Sequence, residues 1–223
     1  MLTVTESDLE LPDGRTLHYY DSGSGEPTPR TPVFWLHGTP NVGSPTEPLF
    51  AAAAENGLRW LSYDRPAYHG SSPHPGRDVA SAAHDVASIA NAIGATSFVV
   101  LGHSGGGPHA LACAALLPDR VPAVVSMSAP APHDAEGLDW FAGWTAGGTA
   151  EQQAAAAGQE AVELYLATAD FDPESFTPTD LEALAAAGHG SPAWSARQST
   201  RAPPGWSRTC WRRRGRGATR CPT

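Results

Sequence analysis

The 223-residue sequence contains no lysine, only three cysteines and no long apolar run, and each shortage excludes a class of protein. Without lysine there is no phosphate-binding loop of the type that ends in Gly-Lys-Ser/Thr. Three cysteines do not make a disulfide framework, and none has metal-ligand spacing with another. No segment approaches the roughly 20 apolar residues of a membrane helix. The opening "MLTVTESDLE" has no basic start and no apolar signal-peptide core, so we expect a cytoplasmic protein without membrane attachment.

Acidic residues are absent from the last 33 positions, whereas the rest of the chain is strongly acidic. Residues 1–190 carry all 23 acidic residues and six of the 14 arginines, and residues 191–223 carry the other eight arginines. The net charge is therefore 6 − 23 = −17 for residues 1–190 and +8 for residues 191–223, which together give the formal net charge of −9. This segment, called the basic tail below, therefore differs in composition from the body of the chain.

The body alternates segments typical of strands with segments typical of helices. Two runs of alternating polarity around the turn "PDG" predict an antiparallel hairpin over residues 2–11 and 15–23. Short apolar runs predict buried strands at 31–36, 58–64, 96–102 and 121–129. Helical spacing of apolar residues predicts helices at 47–57, 78–94 and 106–118. Strands alternating with helices indicate an α/β fold, with a mainly parallel sheet covered by helices on both faces.

Beyond residue 130 the strand pattern stops and only helical patterns remain. Helices are predicted at 137–144, 151–170 and 177–188, the last with Thr177 as N-cap and Asp180 at the third position. A block of helices inserted after a strand is a plausible lid over an active site. The sequence thus divides into a core at 1–132, a helical lid region at 133–190 and an irregular basic tail at 191–223.

One serine lies among glycines in "GHSGGGP", residues 102–108, directly after a predicted strand and before a predicted helix. The pattern Gly102-His103-Ser104-Gly105-Gly106 is weak alone, but a strand before it and a helix after it are what a nucleophile elbow requires. A glycine-rich turn without chemical role, or a phosphate loop, would be the alternative; the absence of lysine disfavours the phosphate loop. We interpret Ser104 as a catalytic nucleophile.

A serine nucleophile also needs N–H donors for the oxyanion that develops on the substrate. The N–H of Gly105 is one candidate, and the loop "HGTP" after the strand 31–36 offers the N–H of Thr39. Gly38 allows close backbone approach in that loop. His37 could be a catalytic histidine, but the interpretation we favour is a structural residue that shapes the loop.

The three stretches "HGTP", "YDRPAYHGSS" and "GHSGGGPHALACAALLPDRV" together resemble the α/β-hydrolase superfamily, close to its lidded esterase and peptidase-like members. The resemblance covers roughly residues 8–187 and implies Ser104 as nucleophile, with Thr39 and Gly105 as the oxyanion hole. It implies that Asp64 and Arg65 lie in a loop that supports the site. Ala67 and His69 depart from the pattern, since the family tends to have glycines there. A serine at position 104 argues against haloalkane dehalogenases and epoxide hydrolases, which use an aspartate.

The family order is serine, then acid, then histidine, so the base must follow Ser104. His109 is in the helix behind the serine, and His133 comes too early. His189, in "AAGHGSP", is the only later histidine and a weak candidate base, because no strand precedes it. The nearest carboxylates, Asp180 and Glu182, belong to the helix that leads into it. We therefore predict that the triad acid and histidine are absent from this chain.

The basic tail is explained by a change of reading frame near residues 186–193. A lysine-free chain rich in Ala, Gly, Pro and Arg implies a GC-rich gene, and out-of-frame translation of such a gene gives Arg, Pro, Gly, Trp, Cys and Ser. With GC-rich codons, "WSRTCW" at 206–211 read one base earlier becomes L-V-A-D-L-L, an ordinary helical sequence. The alternative is a native tail that binds nucleic acid or an acidic surface. We expect the tail to be irregular, with few contacts to the sheet.

The predicted function is hydrolysis of an ester, amide or related acyl bond in a small-molecule substrate. No cofactor, metal or nucleic acid is expected to take part. The competing class is a non-enzymatic, truncated chain that has the elbow but lacks the triad. Substrate identity is not predicted, because the lid and the missing loops would set it.

Overall fold

The computed structural model describes residues 4–23, 30–39, 41–44, 48–169 and 176–186. Its strands are β1 (Thr5–Glu10), β2 (Thr16–Asp21), β3 (Thr31–Leu36), β4 (Leu58–Tyr63), β5 (Val99–His103) and β6 (Val124–Met127). Its α-helices are α1 (Pro48–Glu55), α2 (Ser81–Ala92), α3 (Gly107–Leu116), α4 (Ala146–Ala157), α5 (Gln159–Thr168) and α6 (Pro178–Ala186). The predicted hairpin, the four further strands and the three helices of the body are confirmed.

The six strands form one sheet in the order β1-β2-β4-β3-β5-β6. β1 and β2 are antiparallel, and β2 joins β4 in antiparallel fashion, while β4, β3, β5 and β6 run parallel. Among the described residues β6 pairs only with β5, so it forms one edge. The predicted mainly parallel sheet is confirmed, and its parallel strands direct their carboxyl ends to one side.

Alternate residues of β3 face opposite sides of the sheet, as the period of two in a strand requires. Phe34 and Leu36 pack with residues of α2 and α3 in the larger core cluster. Val33 and Trp35 pack with Ala53 of α1 and Trp60 of β4 in a second cluster on the other side. Helices therefore cover both faces, which confirms the predicted layers.

The region after β6 departs from the prediction in two places. Residues 137–144 form turns rather than a helix, because Gly137 and Gly143 take positive φ of 76° and 83°. The helix predicted over 151–170 is two helices, α4 and α5, separated at Gly158 with φ of 123°. The N-terminus of α6 is as predicted: Thr177 Oγ1 accepts from the Asp180 N–H at 3.2 Å, and Asp180 Oδ2 accepts from the Thr177 N–H at 2.9 Å.

Within the described ranges no helix combines the length and the apolar character needed to cross a bilayer. The weak candidate base His189 and the whole basic tail, residues 191–223, lie outside the described residues. The division into core, lid and tail, and the expectation of an irregular tail, therefore stay predictions.

Candidate active site

Ser104 lies at the carboxyl end of β5, where the chain turns sharply into α3. Its φ is +50°, a left-handed conformation that costs about 1 kcal/mol or more for a residue with a side chain. Residues Ser104–Gly106 form one short 3₁₀ turn, and Pro108 follows in the first turn of α3. The strand, the strained turn and the helix are the geometry of a nucleophile elbow.

Two glycines of the elbow are required by close backbone approach. A Cβ atom on Gly102 would overlap the Gly106 carbonyl group and lie 2.8 Å from Cβ of Ala110. A Cβ atom on Gly106 would overlap the carbonyl oxygen of Leu36, at the end of β3. The tight turn therefore fits against β3 only because these two positions lack side chains.

The loop that follows β3 lies directly against the elbow. A Cβ atom on Gly38 would lie 2.9 Å from Cβ of Ser104 and 3.1 Å from the carbonyl oxygen of His103. A Cβ atom on Gly105 would lie 3.8 Å from the backbone nitrogen of Thr39. The structure thus brings Ser104, Gly105 and Thr39 together, as the sequence interpretation requires.

His37 is fully buried and both of its ring nitrogens are used by the backbone. Its Nε2 accepts a hydrogen bond from the Arg65 N–H at 3.1 Å, and its Nδ1 donates to the Gly38 carbonyl oxygen at 2.8 Å. Burial, followed by the charge of Arg65, lowers the pKa of His37 well below its ordinary value. A neutral imidazole held in this way joins two loops, and the structural role of His37 stays a prediction.

Asp64 is buried at the end of β4 and holds the loop that follows it. Its carboxylate accepts from the Gly43 N–H at 2.7 Å, from the Gly70 N–H at 3.1 Å and from Tyr20. Its Oδ2 also bonds Nδ1 of His69 at 3.0 Å. The carboxylate thus holds three segments together, which are β2, the loop that contains Gly43 and the loop that contains His69 and Gly70.

Ala67 and His69, the two residues in this loop that depart from the family pattern, both have positive φ, of 70° and 33°. Glycine adopts that conformation without the steric cost of a side chain. The backbone therefore explains why glycines suit these positions, and the bond between His69 and Asp64 ties His69 to the loop rather than to Ser104.

Arg65 lies between the Asp64 loop and the residues of the proposed oxyanion hole. One of its terminal nitrogens donates to Oγ1 of Thr39 at 3.0 Å and to the hydroxyl of Tyr68 at 3.2 Å. Oγ1 of Thr39 is also 3.0 Å from the Tyr68 hydroxyl oxygen. A permanent positive charge therefore stands beside the Thr39–Gly105 corner, a feature that sequence reasoning had described only as support.

Among the described residues no side chain hydrogen-bonds the Ser104 hydroxyl. His109 turns to the carbonyl oxygen of Gly105, 2.8 Å away, and burial lowers its pKa to about 3. His133 packs on Trp140 and Phe141, and His103 stacks on Trp35 with ring centroids 6.1 Å apart. None of the described histidines is placed as a base for Ser104.

Ser104 opens into a pocket of about 540 Å³, called the Ser104 pocket below. A volume of this size suits a small organic ligand.

The lining of the Ser104 pocket comes from two parts of the chain. The core contributes Thr39, Arg65, Tyr68, Arg77 and Gly105, and the region after β6 contributes Trp140, Trp144 and Glu151. Sequence reasoning missed Tyr68, Arg77 and Glu151, and only Tyr68, inside the quoted "YDRPAYHGSS", carried a signal that could have identified it.

Among the described residues, one group of side chains has ligand atoms close enough for a metal ion. The ligand atoms of His18, Asp64 and His69 all lie within 4.8 Å of one another. Nδ1 of His18 bonds Asp8 at 2.7 Å and His69 bonds Asp64, while Nε2 of His18 is buried without a hydrogen-bond partner.

Comparison with known proteins gives matches to parts of larger enzymes. The chain is 35% identical over 135 residues to a non-heme chloroperoxidase of Streptomyces lividans, covering 59% of this chain and 46% of that one. It is 29% identical over 130 residues to an epoxide hydrolase of Caballeronia sordidicola, covering 57% of this chain and 38% of that one. A Vigna radiata epoxide hydrolase structure matches with a TM-score of 0.52 at 19% identity, covering 62% and 42% of the two chains. The chain thus spans less than half the length of the curated relatives it matches.

A family model described as the alpha/beta hydrolase fold matches residues 31–222. That range begins later than the resemblance at 8–187 but ends later too, and it includes most of the basic tail, so it gives the frameshift hypothesis no support. It contains the elbow, the loop after β3 and the Asp64 loop, whose geometry is described above. By this match the chain belongs to the α/β-hydrolase fold family.

Proposed function

We propose that Ser104 is the nucleophile of an acyl hydrolase, attacking the carbonyl carbon of an ester, amide or related acyl bond. The observation that carries the proposal is the left-handed Ser104 at the end of β5, with φ of +50° and Gly38 against it. A strained, exposed elbow makes a serine oxygen accessible to a substrate carbonyl. The N–H groups of Thr39 and Gly105 would stabilise the negative charge that develops on the carbonyl oxygen.

In the proposed reaction the Ser104 oxygen forms a bond to the carbonyl carbon, and the alcohol or amine departs with a proton. The Ser104 proton goes to a base, and water later releases the acid from the acyl-serine. Because no described histidine reaches Ser104, we propose that this 223-residue chain acylates slowly and does not turn over at enzyme-like rates. Loss of triad members in serine proteases leaves about 10³- to 10⁴-fold acceleration over water.

The serine also favours acyl transfer over the epoxide opening named for some relatives. Attack of a serine on an epoxide would leave an ether, which water does not readily cleave. Attack on an acyl group leaves an ester, which water can hydrolyse. The identity of residue 104 therefore supports an acyl substrate for this chain.

The test is to incubate the purified chain with p-nitrophenyl butyrate and to locate any butyryl group by peptide mass spectrometry. We expect one butyryl group on Ser104, with little nitrophenol released after that. Ser104→Ala should lose the adduct. Ser128→Ala is the matched control, because Ser128 lines the same pocket and also has a positive φ, of 49°.

A butyryl group on Ser128 in the Ser104→Ala variant, or no butyryl group on Ser104 in the wild-type chain, would contradict the nucleophile assignment. Sustained turnover that depends on Ser104 would instead mean that the chain contains a base, and His189→Ala would then be the first variant to examine.

A further inference from the structure

Two arginines line the Ser104 pocket and are almost completely buried. Arg65 is 3% exposed and Arg77 is 7% exposed. Burying a charged group costs free energy unless it is paired and hydrogen-bonded. The partners of these two side chains therefore decide what the pocket is suited to bind.

Neither arginine has a carboxylate partner in the part of the chain that the structure describes. Arg65 donates to Thr39 and Tyr68, which are uncharged, and its Nε has no partner there. For Arg77 the described hydrogen bonding is limited to its backbone N–H, which donates to the His74 carbonyl oxygen at 3.2 Å. The carboxylates that do pair with arginine, Asp13, Asp85 and Asp21, pair with Arg15 or Arg59 instead.

The nearby carboxylates on the core side make their hydrogen bonds to other residues. Asp85 accepts from Arg15 at 3.1 Å through Oδ1, while its Oδ2 is buried without a hydrogen-bond partner, and burial raises the pKa of this carboxyl group. Asp78 accepts from the side chain and backbone of Ser81 at 2.8 Å. Burial, followed by repulsion from Arg65, lowers the pKa of Arg77. Two like charges therefore face one pocket and repel each other, and an anion between them would relieve that repulsion.

The part of the pocket lining that follows β6 in the sequence carries carboxylates of its own. Asp139 is exposed and accepts from the Phe141 N–H at 3.3 Å. Glu151 is partly buried, and that burial raises the pKa of its carboxyl group. The lining of the Ser104 pocket thus has its cations on residues of the core and its carboxylates on residues that follow β6.

We infer that Arg65 and Arg77 form a subsite for a carboxylate group carried by the acyl substrate, so that the preferred substrate is a mono-acyl derivative of a dicarboxylic acid. This inference rests on the proposed function of Ser104. A planar guanidinium can bind a carboxylate through two parallel N–H···O bonds. Because Arg65 bonds Thr39, the bound carboxylate would lie on the oxyanion-hole side of the scissile carbonyl. Asp139, exposed on the part of the lining that follows β6, would repel a carboxylate bound in the reverse orientation.

The experiment compares two ligands of the same shape that differ in one charge, glutaramate and glutaramide. Each is titrated into the ¹⁵N-labelled full chain while the arginine Nε–H signals are followed by NMR. We expect glutaramate to bind about tenfold more tightly, because a hydrogen bond to a charged carboxylate is stronger than one to a neutral amide. We also expect the Arg65 and Arg77 signals to shift. Equal binding of the two ligands by the wild-type chain would overturn the inference without any variant.

Variants then locate the charge preference. Arg77→Gln should reduce it to about threefold, because Arg65 remains, Arg77→Lys should keep more of it, and Arg120→Gln is the control, which should keep all of it. Arg120 lies outside the lining of the pocket and donates to the Ala95 carbonyl oxygen at 2.7 Å. If Arg77→Gln does not fold, Arg77→Lys and the wild-type ligand pair still decide the question. Inorganic phosphate binding more tightly than glutaramate would show that the carboxylate assignment is wrong.

The two proposals fail in different ways. Ser104→Ala should keep the preference for glutaramate, because the charge recognition does not use the serine. A charge preference without an acyl adduct on Ser104 would overturn the nucleophile but not the subsite. An adduct on Ser104 without a charge preference would do the reverse.

Discussion

The backbone N–H of Arg65 donates a hydrogen bond to Nε2 of His37, 3.1 Å away, across two loops of the site. Since Nε2 accepts, the ring proton of His37 is on Nδ1, where it is donated to Gly38. A protonated His37 would lose the bond to Arg65 and would place a charge in a fully buried position. The corner that holds Thr39 and Arg65 therefore depends on a neutral histidine.

His109 gives a testable consequence of the same kind. Its folded-state pKa is lowered to about 3, below the ordinary value of 6.5, by burial and then by Arg65. The unfolded chain therefore binds a proton that the folded chain does not, and the stability from neutral His109 is lost as the pH falls below 6.5. In His109→Gln the unfolded chain no longer takes up this extra proton. We therefore expect the slope of the unfolding free energy against pH to fall by about 1.4 kcal/mol per pH unit.

The measurement is urea unfolding at pH values from 7 down to 4.5. His84→Gln, at an exposed position of α2, is the control and should follow the wild-type profile. A His109→Gln profile parallel to that of the wild type would contradict the assignment of a buried, neutral His109.

The geometry of the elbow predicts that alanine substitutions at two neighbouring glycines, Gly105 and Gly106, differ strongly in their effect on stability. Alanine at Gly106 would overlap the Leu36 carbonyl oxygen, whereas alanine at Gly105 would meet Oγ1 of Thr39 at 3.4 Å, an ordinary contact. We expect Gly106→Ala to lower the free energy of unfolding by about 1 to 3 kcal/mol or more, as overpacking does. Gly105→Ala should change it much less. Equal losses in thermal or urea unfolding would mean that the elbow does not press on β3 in this way.

The edge position of β6 predicts self-association. Val125 and Met127 of this strand are 43% and 38% exposed, and an apolar edge strand favours pairing with other chains. We expect the purified chain to aggregate, and Val125→Glu to increase the monomer fraction in light scattering coupled to size exclusion. Val125→Thr, which keeps a β-branched residue without charge, should behave like the wild type. A monodisperse wild-type monomer with one cooperative thermal transition would count against an unprotected edge.

The frameshift hypothesis predicts what the gene encodes in another frame. Read one base earlier from about codon 190, the DNA should specify an amphipathic helix. A strand ending near an Asp or Glu should follow, and then a strand followed by a His. The nucleotide sequence beyond codon 185 decides this directly. A stop codon within a few residues of that frame would show that the hypothesis is wrong.

The parts of the fold that sequence reasoning predicted correctly are those in which local pattern and burial agree. The apolar run at 31–36 forms β3, and its residues are divided between two core clusters. The helix α2 ends just before Gly94, which has a φ of 74°. The helix predicted at 137–144 was wrong because Gly137 and Gly143, which take positive φ, interrupt it despite the helical spacing of its apolar residues. The Trp140 indole N–H donates instead to the Ala131 carbonyl oxygen at 2.8 Å, nine residues earlier in the chain.

Within the candidate site, the motifs predicted which backbone segments meet but not which charges face the pocket. "HGTP" and "GHSGGGP" both carry glycines whose close approach the structure explains. Arg77 and Glu151 come from a loop and a helix with no motif, and only the folded arrangement shows that they share a pocket. Side chains brought together by long-range packing leave no local pattern in a sequence.

All six described strands lie within the first 127 residues, and this has a consequence for the order in which the chain folds on the ribosome. At about 5 to 20 residues per second, the remaining 96 residues take roughly 5 to 19 s to synthesise. Domains rich in long-range strand pairing typically fold in about milliseconds to seconds. We therefore expect the sheet and the Ser104 elbow to form while translation continues. Every nascent chain would then expose β6 at the edge of its sheet while residues 128–223 are being made.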